Sequence, residues 1–388
     1  MPHSRDYEGI ALIAPYTLPY TKTSEHGAMW FIGRTLNAIL ASAGLKKSDI
    51  DGLSIASFSL YPDTAASVAE HLGMQLGWLE QLPFGGASGV MSLRRAARAV
   101  QCGDAEIVAC IGADTNSTDS FRSLVSGFSR FSSAESYPYG SAGPNAAFAL
   151  ITSHYMAKYD VTREDFGKLC IDQRKNATTT PTALFRKPLC IEEYLSARPI
   201  AKPLHLFDCV MPCAGGEGFL VTTVERARSL GVPSALILAS AESHNAYSTD
   251  PIMYRSGWSV YADALYEQAG IGPKDIDVLQ TYDDYPVISC IQMEELGFCQ
   301  AGKAAELIST FNRPYESGGM SHNTSGGQLS CGQAGAAGGF LGLTEAIRQI
   351  TRRDLGASLV NARHAMVSGY GMVNYDRGIC TAATVIGG

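Results

Sequence analysis

The 388 residues predict an α/β chain of two similar halves, the first carrying a loop-rich insertion. Three observations lead there. Ala38–Asp51 (AILASAGLKKSDID) returns as Ala264–Asp277 (ALYEQAGIGPKDID), 226 residues later, with Asp49 matching Asp275 and Asp51 matching Asp277. A second echo sets Gly89–Leu93 ahead of the helical run Ala96–Val100, and Gly339–Leu343 ahead of Ala346–Ile350. Short apolar runs also alternate with helical segments along the chain, the pattern of buried parallel strands. A repeat of this size exceeds solenoid units of roughly 20–50 residues, so it marks half-chains rather than a repeat array.

The elements follow in order. Ile107–Gly112 is a short apolar run after a helix and is expected to be a strand, as are Phe148–Thr152 and Gly218–Thr222. Ala235–Ala239, after Gly231-Val-Pro233, is expected to open the second half. The expected division is therefore 1–234, including an insertion at about 115–206, and 235–388. Within the insertion, residues 160–206 are polar and punctuated by proline, and a long excursion of that kind is expected to cover one face of the molecule.

Composition narrows the function. With 46% hydrophobic and 17% charged residues the chain has ample apolar material for two cores. No stretch of 18 apolar residues occurs and Met1–Glu8 lacks the apolar core of a signal peptide, so a cytoplasmic protein with no membrane span is expected. A net charge of −7 supplies no basic stripe for phosphates, which argues against a nucleic-acid partner. Of the ten cysteines, only Cys209 and Cys213 are separated by three residues, and no second pair or histidines complete a zinc pattern. They are read as small core residues in a reducing compartment, with no metal site.

Four loops carry the functional signal. Residues 85–89 read Gly-Gly-Ala-Ser-Gly; 282–285 read Tyr-Asp-Asp-Tyr; 323–338 read Asn-Thr-Ser-Gly-Gly-Gln-Leu-Ser-Cys-Gly-Gln-Ala-Gly-Ala-Ala-Gly; and 367–372 read Val-Ser-Gly-Tyr-Gly-Met. This framework resembles the thiolases across essentially the whole chain, and most of all their lipid-transfer-protein branch. The resemblance implies the thiolase fold, with two αβαβα-type halves. Thiolases carry an acylated cysteine in the first loop, Asn-x-x-Gly-Gly followed by Gly-His-Pro in the third and Cys-x-Gly-Gly-Gly in the last, and their lipid-transfer type carries His-Asp-x-Phe in the second. Here Gly85–Gly89 lacks the nucleophile, Tyr282 replaces the first histidine, Gln333 stands at the second, and the last loop has no cysteine.

Ser88 sits near the missing nucleophile, but its surroundings break the Gly-x-Ser-x-Gly elbow at the last position; a helix N-cap is its plainer reading. Without an acyl-enzyme, the scaffold can still hold a thioester and stabilise its enolate, which is what retro-aldol cleavage of a β-hydroxyacyl-CoA requires. The pattern resembles the thiolase-like aldolases of steroid side-chain degradation, which implies a DUF35 zinc-ribbon/OB-fold partner, a homodimer and an α2β2 assembly. No cofactor is expected beyond the coenzyme A thioester substrate.

On that resemblance Tyr282 and Tyr370 are the candidate acid and base, with Asp283 orienting one of them and His322 donating to the thioester oxygen. The amides of Gly86, Ala87 and Gly371 and the side chains of Ser88, Asn323 and Gln333 are candidates for the oxyanion and substrate contacts. Arg186 and Lys187 are candidates for the CoA phosphates, and the insertion for one wall of the acyl-CoA channel. Tyr247, Tyr254, Tyr285 and Tyr375 stand in reserve. Three readings stay open: a lyase on a bulky, steroid-like β-hydroxyacyl-CoA; a thiolase or acyltransferase using a displaced Cys331 or Cys380; and a non-catalytic acyl-CoA or lipid carrier subunit.

Overall fold

The repeated acidic residues do the same work twice. Asp51 accepts hydrogen bonds from the amides of Glu106 and Ile107, and Asp277 accepts them from Arg363 and His364. In both halves this carboxylate ties the turn before one strand to the start of its neighbour. Asp49 and Asp275 likewise accept the amides of Lys46 and Gly272 and close the short 3-10 turns that precede those strands.

This is a computed structural model, and it describes residues 6–117, 119–120, 123, 130–135, 137–141, 143–311, 320–353, 355–356, 359, 361–374 and 377–388. Its strands are β1 (Ile10–Thr21), β2 (Gly52–Ala56), β3 (Trp78–Gln81), β4 (Val108–Thr115), β5 (Pro199–Ala201), β6 (Leu204–His205), β7 (Ala214–Thr223), β8 (Ser234–His244), β9 (Val278–Gln280), β10 (Ser321–His322), β11 (His364–Asn374) and β12 (Arg377–Gly387). The longer helices are α1 (Ala28–Ala43), α2 (Ser88–Cys102), α3 (Gly143–Tyr159), α4 (Arg163–Ala177), α5 (Pro286–Glu295) and α6 (Gly338–Thr351).

The spatial order β3-β2-β4-β7-β1 in the first half is matched by β10-β9-β11-β12-β8 in the second. Numbered within its own half, each sheet runs 3-2-4-5-1. The two are joined edge to edge through the antiparallel pairing of β1 with β8, Ala11 opposite Leu236 and Ile13 opposite Ser234. β5 and β6 form a separate small hairpin within the insertion.

Helices α2 and α6, the second echo of the sequence, occupy the middle layer. Their apolar faces share one core with strands of both halves, including Val108, Phe219, Ile237, Ala365 and Ile386. They meet at glycine: a Cβ on Gly89 would overlap the carbonyl of Gly339, and one on Gly339 would lie 2.7 Å from the carbonyl oxygen of Gly86. Helix α1 packs on the outer face of the first sheet. The insertion, with α3 and α4, packs with α5 on the outer face of the second. Phe148–Thr152 is therefore helical rather than a strand: it lies inside α3, where Phe148, Ile151 and Thr152 are buried. Only Leu150 of the run faces out, and so short an apolar run shows no period that separates helix from strand.

Buried carboxylates brace the halves. Glu217 on β7 accepts from Thr17 (2.8 Å), Tyr20 (2.8 Å) and Thr344 of α6 (2.5 Å). Asp114 at the end of β4 accepts from the amides of Phe58, Ser59 and Ala336, so the turn that starts α6 is anchored on the first half. Among the described residues no helix is long and apolar enough to cross a membrane.

The glycine crossing gives a direct test. Gly89→Ala is expected to cost at least about 1–3 kcal/mol, because the added methyl meets a backbone carbonyl that cannot swing aside. Urea unfolding at the wild-type midpoint would contradict the close approach of α2 and α6.

Candidate active site

The turn Gly85–Ala87 leads into α2, and it has been stripped of side chains where another group needs the room. A Cβ on Gly86 would overlap ring carbons Cε2 and Cζ of Tyr282 and the carbonyl oxygen of Tyr370. The phenol of Tyr282 thus stands over the loop in which thiolases carry their cysteine.

Tyr282 is held from several sides. Its backbone is clamped by Gln292 of α5, whose Oε1 accepts the Tyr282 amide (2.9 Å) and whose Nε2 donates to the Tyr282 carbonyl (2.7 Å). Ser368 of β11 donates to the same Gln292 Oε1 (2.5 Å). At the other end, Gln333 Nε2 donates to the phenolic oxygen (3.1 Å) and to Gln328 Oε1 (3.1 Å). Burial, with the neighbouring Asp284 and Asp283, pushes the Tyr282 hydroxyl well above its ordinary value, so it is a neutral phenol near pH 7.

Asp283 caps the short helix Gly327–Cys331, its Oδ1 accepting the Gln328 amide (2.8 Å) and its Oδ2 the Leu329 amide (3.2 Å). Burial raises its pKa and these amides pull it back, leaving it at about 7. Asp283 therefore positions the loop that carries Gln328 and Gln333. A void of about 10 Å³ between Tyr282, Asp283, Asn323 and Gly339 has room for about one water and for no substrate.

The substrate-sized space lies alongside. A cleft of about 650 Å³ is bounded by Asp284, Tyr285, Leu329 and Gln333 on one side. The insertion and the segment leading to β7 wall the other side, with Arg174, Phe185, Arg198, Phe207, Cys209 and Met211. Volumes of a few hundred to about 1,000 Å³, mostly apolar with a few polar groups, are typical of ligand sites. Arg174 is the buried cation here: its Nε donates to Ser330 Oγ (3.0 Å) and its guanidinium lies 5.1 Å from the Phe185 ring. Arg186 and Lys187 are exposed and do not line the cleft; Arg174 and Arg198 do. Tyr285, a reserve candidate, lines the cleft, stacks on Phe148 (4.1 Å between centroids) and donates to Asn145 Oδ1 (2.5 Å).

Several sequence candidates fall elsewhere. Tyr370 is a core aromatic, wholly buried between Trp258 (5.6 Å) and Phe148 (6.1 Å), with its hydroxyl engaged by the Gly378 amide and the Met253 sulfur. His322 is buried and stacked on Phe311, its Nε2 is 2.7 Å from Thr281 Oγ1, and burial lowers its pKa to about 3, so it is a neutral imidazole, and it does not line the cleft. Asn323 spends both ends of its amide on the Thr281 backbone.

The first loop is equally committed to structure. Ser88 is buried and does not cap α2: its Oγ accepts the Phe84 amide (3.2 Å), and Ala87 is the N-cap residue. The Ala87 amide already donates to the Phe84 carbonyl, and the α-carbon of Gly371 packs against that same carbonyl.

Among the remaining reserves, Tyr254 lies under the Lys158 ammonium and Tyr247 under the Arg255 guanidinium, while Tyr375 lies outside the described residues. Cys331 donates to the Ser325 carbonyl and burial pushes its thiol up; Cys380 is raised to about 11. Neither is a thiolate near neutral pH.

The Thiolase C-terminal domain-like family model matches residues 239–383. The chain is 32% identical over 348 residues to the steroid side-chain-cleaving aldolase of Thermomonospora curvata, covering 85% of this chain and 87% of that one. It is 30% identical over 357 residues to the 17-hydroxy-3-oxo-4-pregnene-20-carboxyl-CoA lyase of Mycobacterium tuberculosis, covering 88% and 91%. Among solved structures it superposes on an Ltp2-ChsH2(DUF35) aldolase with a TM-score of 0.82, at 27% identity over 99% of this chain and 98% of that one. A thiolase framework without its cysteine, a tyrosine in the vacated space and relatives of this coverage agree: the chain belongs to the thiolase superfamily, in its branch of aldolases that lack the nucleophilic cysteine.

Proposed function

We propose that this protein is a carbon–carbon lyase that cleaves a β-hydroxyacyl-CoA with a bulky, steroid-like side chain into a short acyl-CoA and a ketone or aldehyde. In this reaction the β-hydroxyl loses its proton and the Cα–Cβ bond breaks. The bonding pair enters the thioester as an enolate, which is then protonated at the α-carbon. The observation that carries the reading is Tyr282 standing over Gly86 with its oxygen accepting from Gln333. With that lone pair taken, the phenol serves as a donor to the enolate oxygen, the role that an oxyanion hole plays. A neutral phenol is suited to this and unsuited to acting as the base.

The apolar cleft beside it fits a large hydrophobic acyl group, and Arg174 and Arg198 are placed for anionic parts of the ligand. One relative cleaves a steroid side chain and the other is a lyase of a pregnene carboxyl-CoA thioester, which supports the steroid as the bulky group. These steps call for protein acid–base groups and for no cofactor beyond the coenzyme A thioester itself. The Ltp2-ChsH2(DUF35) aldolase supports a DUF35-type partner, and the edge strand β3, with its half-exposed Leu79, is a pairing surface for a homodimer within an α2β2 assembly.

With a steroidal β-hydroxyacyl-CoA as substrate and the DUF35 partner present, short acyl-CoA release followed by mass spectrometry is expected to be catalytic. Tyr282→Phe and Gly86→Ala are each expected to lower kcat by about 10²–10³, the first by deleting the donor and the second by displacing the ring; full activity in both would remove Tyr282 from the chemistry. Iodoacetamide is expected to leave turnover intact, and incubation with acetyl-CoA to leave the intact protein mass unchanged. A cysteine-linked acyl adduct would return the chain to acyl transfer.

Protonation also sets a stability profile. Asp283 and Glu294 titrate at about 7 in the fold, both raised by burial. The native state therefore holds protons that the unfolded chain has lost between about pH 4 and pH 7, and stability falls as pH rises through that window. The Tm is expected to be higher at pH 5 than at pH 8, with a flatter profile in Asp283→Asn; a Tm that rises with pH across this range contradicts the assignment.

A further inference from the structure

Resting on the lyase reading, the cleavage still requires a group that takes the β-hydroxyl proton and supplies one to the α-carbon, and Tyr282 is placed as a donor to oxygen. Few cleft-lining side chains among the described residues have suitable chemistry. Cys209 is pushed up to about 12 by burial and by the nearby Asp208 and Asp284, so it is a thiol rather than a thiolate. Tyr285 already donates its hydroxyl hydrogen to Asn145. Arg174 and Arg198 are permanent cations.

Asp284 is different. It lines the cleft two residues from Tyr282 and is 8% exposed, and its Oδ1 is shielded from water with no hydrogen-bond partner. Of the buried side chains that line the cleft, among the described residues, it alone has such an oxygen. A buried carboxyl with an unsatisfied oxygen costs stability, and more so when charged, so its place at a ligand cleft calls for a use. Its neighbour Asp283 has both oxygens committed to helix amides, which makes Asp283 the structural member of the pair.

We propose that Asp284 is the acid–base residue of the cleavage. Its carboxylate takes the β-hydroxyl proton as the Cα–Cβ bond breaks, the electron pair passes into the thioester enolate held by Tyr282, and the same carboxyl delivers that proton to the α-carbon. The proton count is unchanged over the cycle, and no second reactant enters. The groups around Asp284 are Tyr282, Asp283 and Tyr285 of its own loop and Cys209 across from it, with Arg174 and Arg198 on the far cleft wall. Burial and the Asp283 charge push Asp284 well above the ordinary carboxylate range, which makes its ionised form a strong base and makes turnover rise with pH.

A partial reaction isolates this step. The full chain with its partner is incubated with propionyl-CoA in D2O, deuterium at the α-carbon is followed by mass spectrometry, and steroidal thioester cleavage is measured in parallel. The wild type is expected to exchange and to cleave. Asp284→Asn, which keeps the shape of the neutral acid, is expected to lose both by about 10²–10⁴ with little change in KM, and Asp284→Glu to recover part of each. Asp284→Asn that folds normally and retains exchange and cleavage overturns the assignment while leaving the lyase reading intact. A wild type that exchanges, in an Asp284-dependent way, without cleaving supports Asp284 and overturns the lyase reading.

Discussion

The site depends on one close approach, the ring of Tyr282 over the bare backbone of Gly86. The fold brings the Gly85–Ala87 turn, the start of α6 and the strand β11 so close that carbonyls and α-carbons touch at Gly86, Gly339 and Gly369. A side chain on Gly86 and the Tyr282 ring cannot occupy that space together. The bare Gly86 and the phenol are therefore one structural feature, and under the proposed lyase reading it serves to stabilise charge on oxygen rather than to carry an acyl group.

The surroundings are built to hold that phenol still. Gln292 clamps the Tyr282 backbone, Gln333 holds its oxygen, and Asp283 pins the short helix that carries Gln328 and leads to Gln333. Behind them, Asp114 and Glu217 fasten α6 to the first half, so the geometry at Gly86 is inherited from the packing of both halves rather than from one loop. Each of these polar groups is buried and matched with donors, which makes the arrangement rigid and its loss expensive.

Much of this was legible from the amino-acid order. The paired aspartates at 49/51 and 275/277 announced the repeat because the same backbone amides must be satisfied in each half. The glycines at 85–89 and the tyrosine at 282 were visible as departures from a framework, and the structure brings them together. What was not legible depends on partners distant in sequence. Tyr370 reads as a loop tyrosine between glycines, but Trp258 and Phe148 enclose it from 112 and 222 residues away. The cleft cations are Arg174 and Arg198 rather than Arg186 and Lys187 because the path of the insertion, not its composition, decides which side chains turn inward. Asp284 is not distinguished from Asp283 by the sequence, because only the fold shows that both oxygens of Asp283 meet helix amides while one oxygen of Asp284 is without a partner.

A crystal structure with a short acyl-CoA bound decides whether Tyr282 meets the thioester. The thioester oxygen is expected within hydrogen-bond distance of the Tyr282 hydroxyl, about 3 Å, with the acyl chain running into the cleft past Asp284 and no bond to any cysteine. A thioester seated elsewhere, with Tyr282 still closed over Gly86 and out of reach, would contradict that contact.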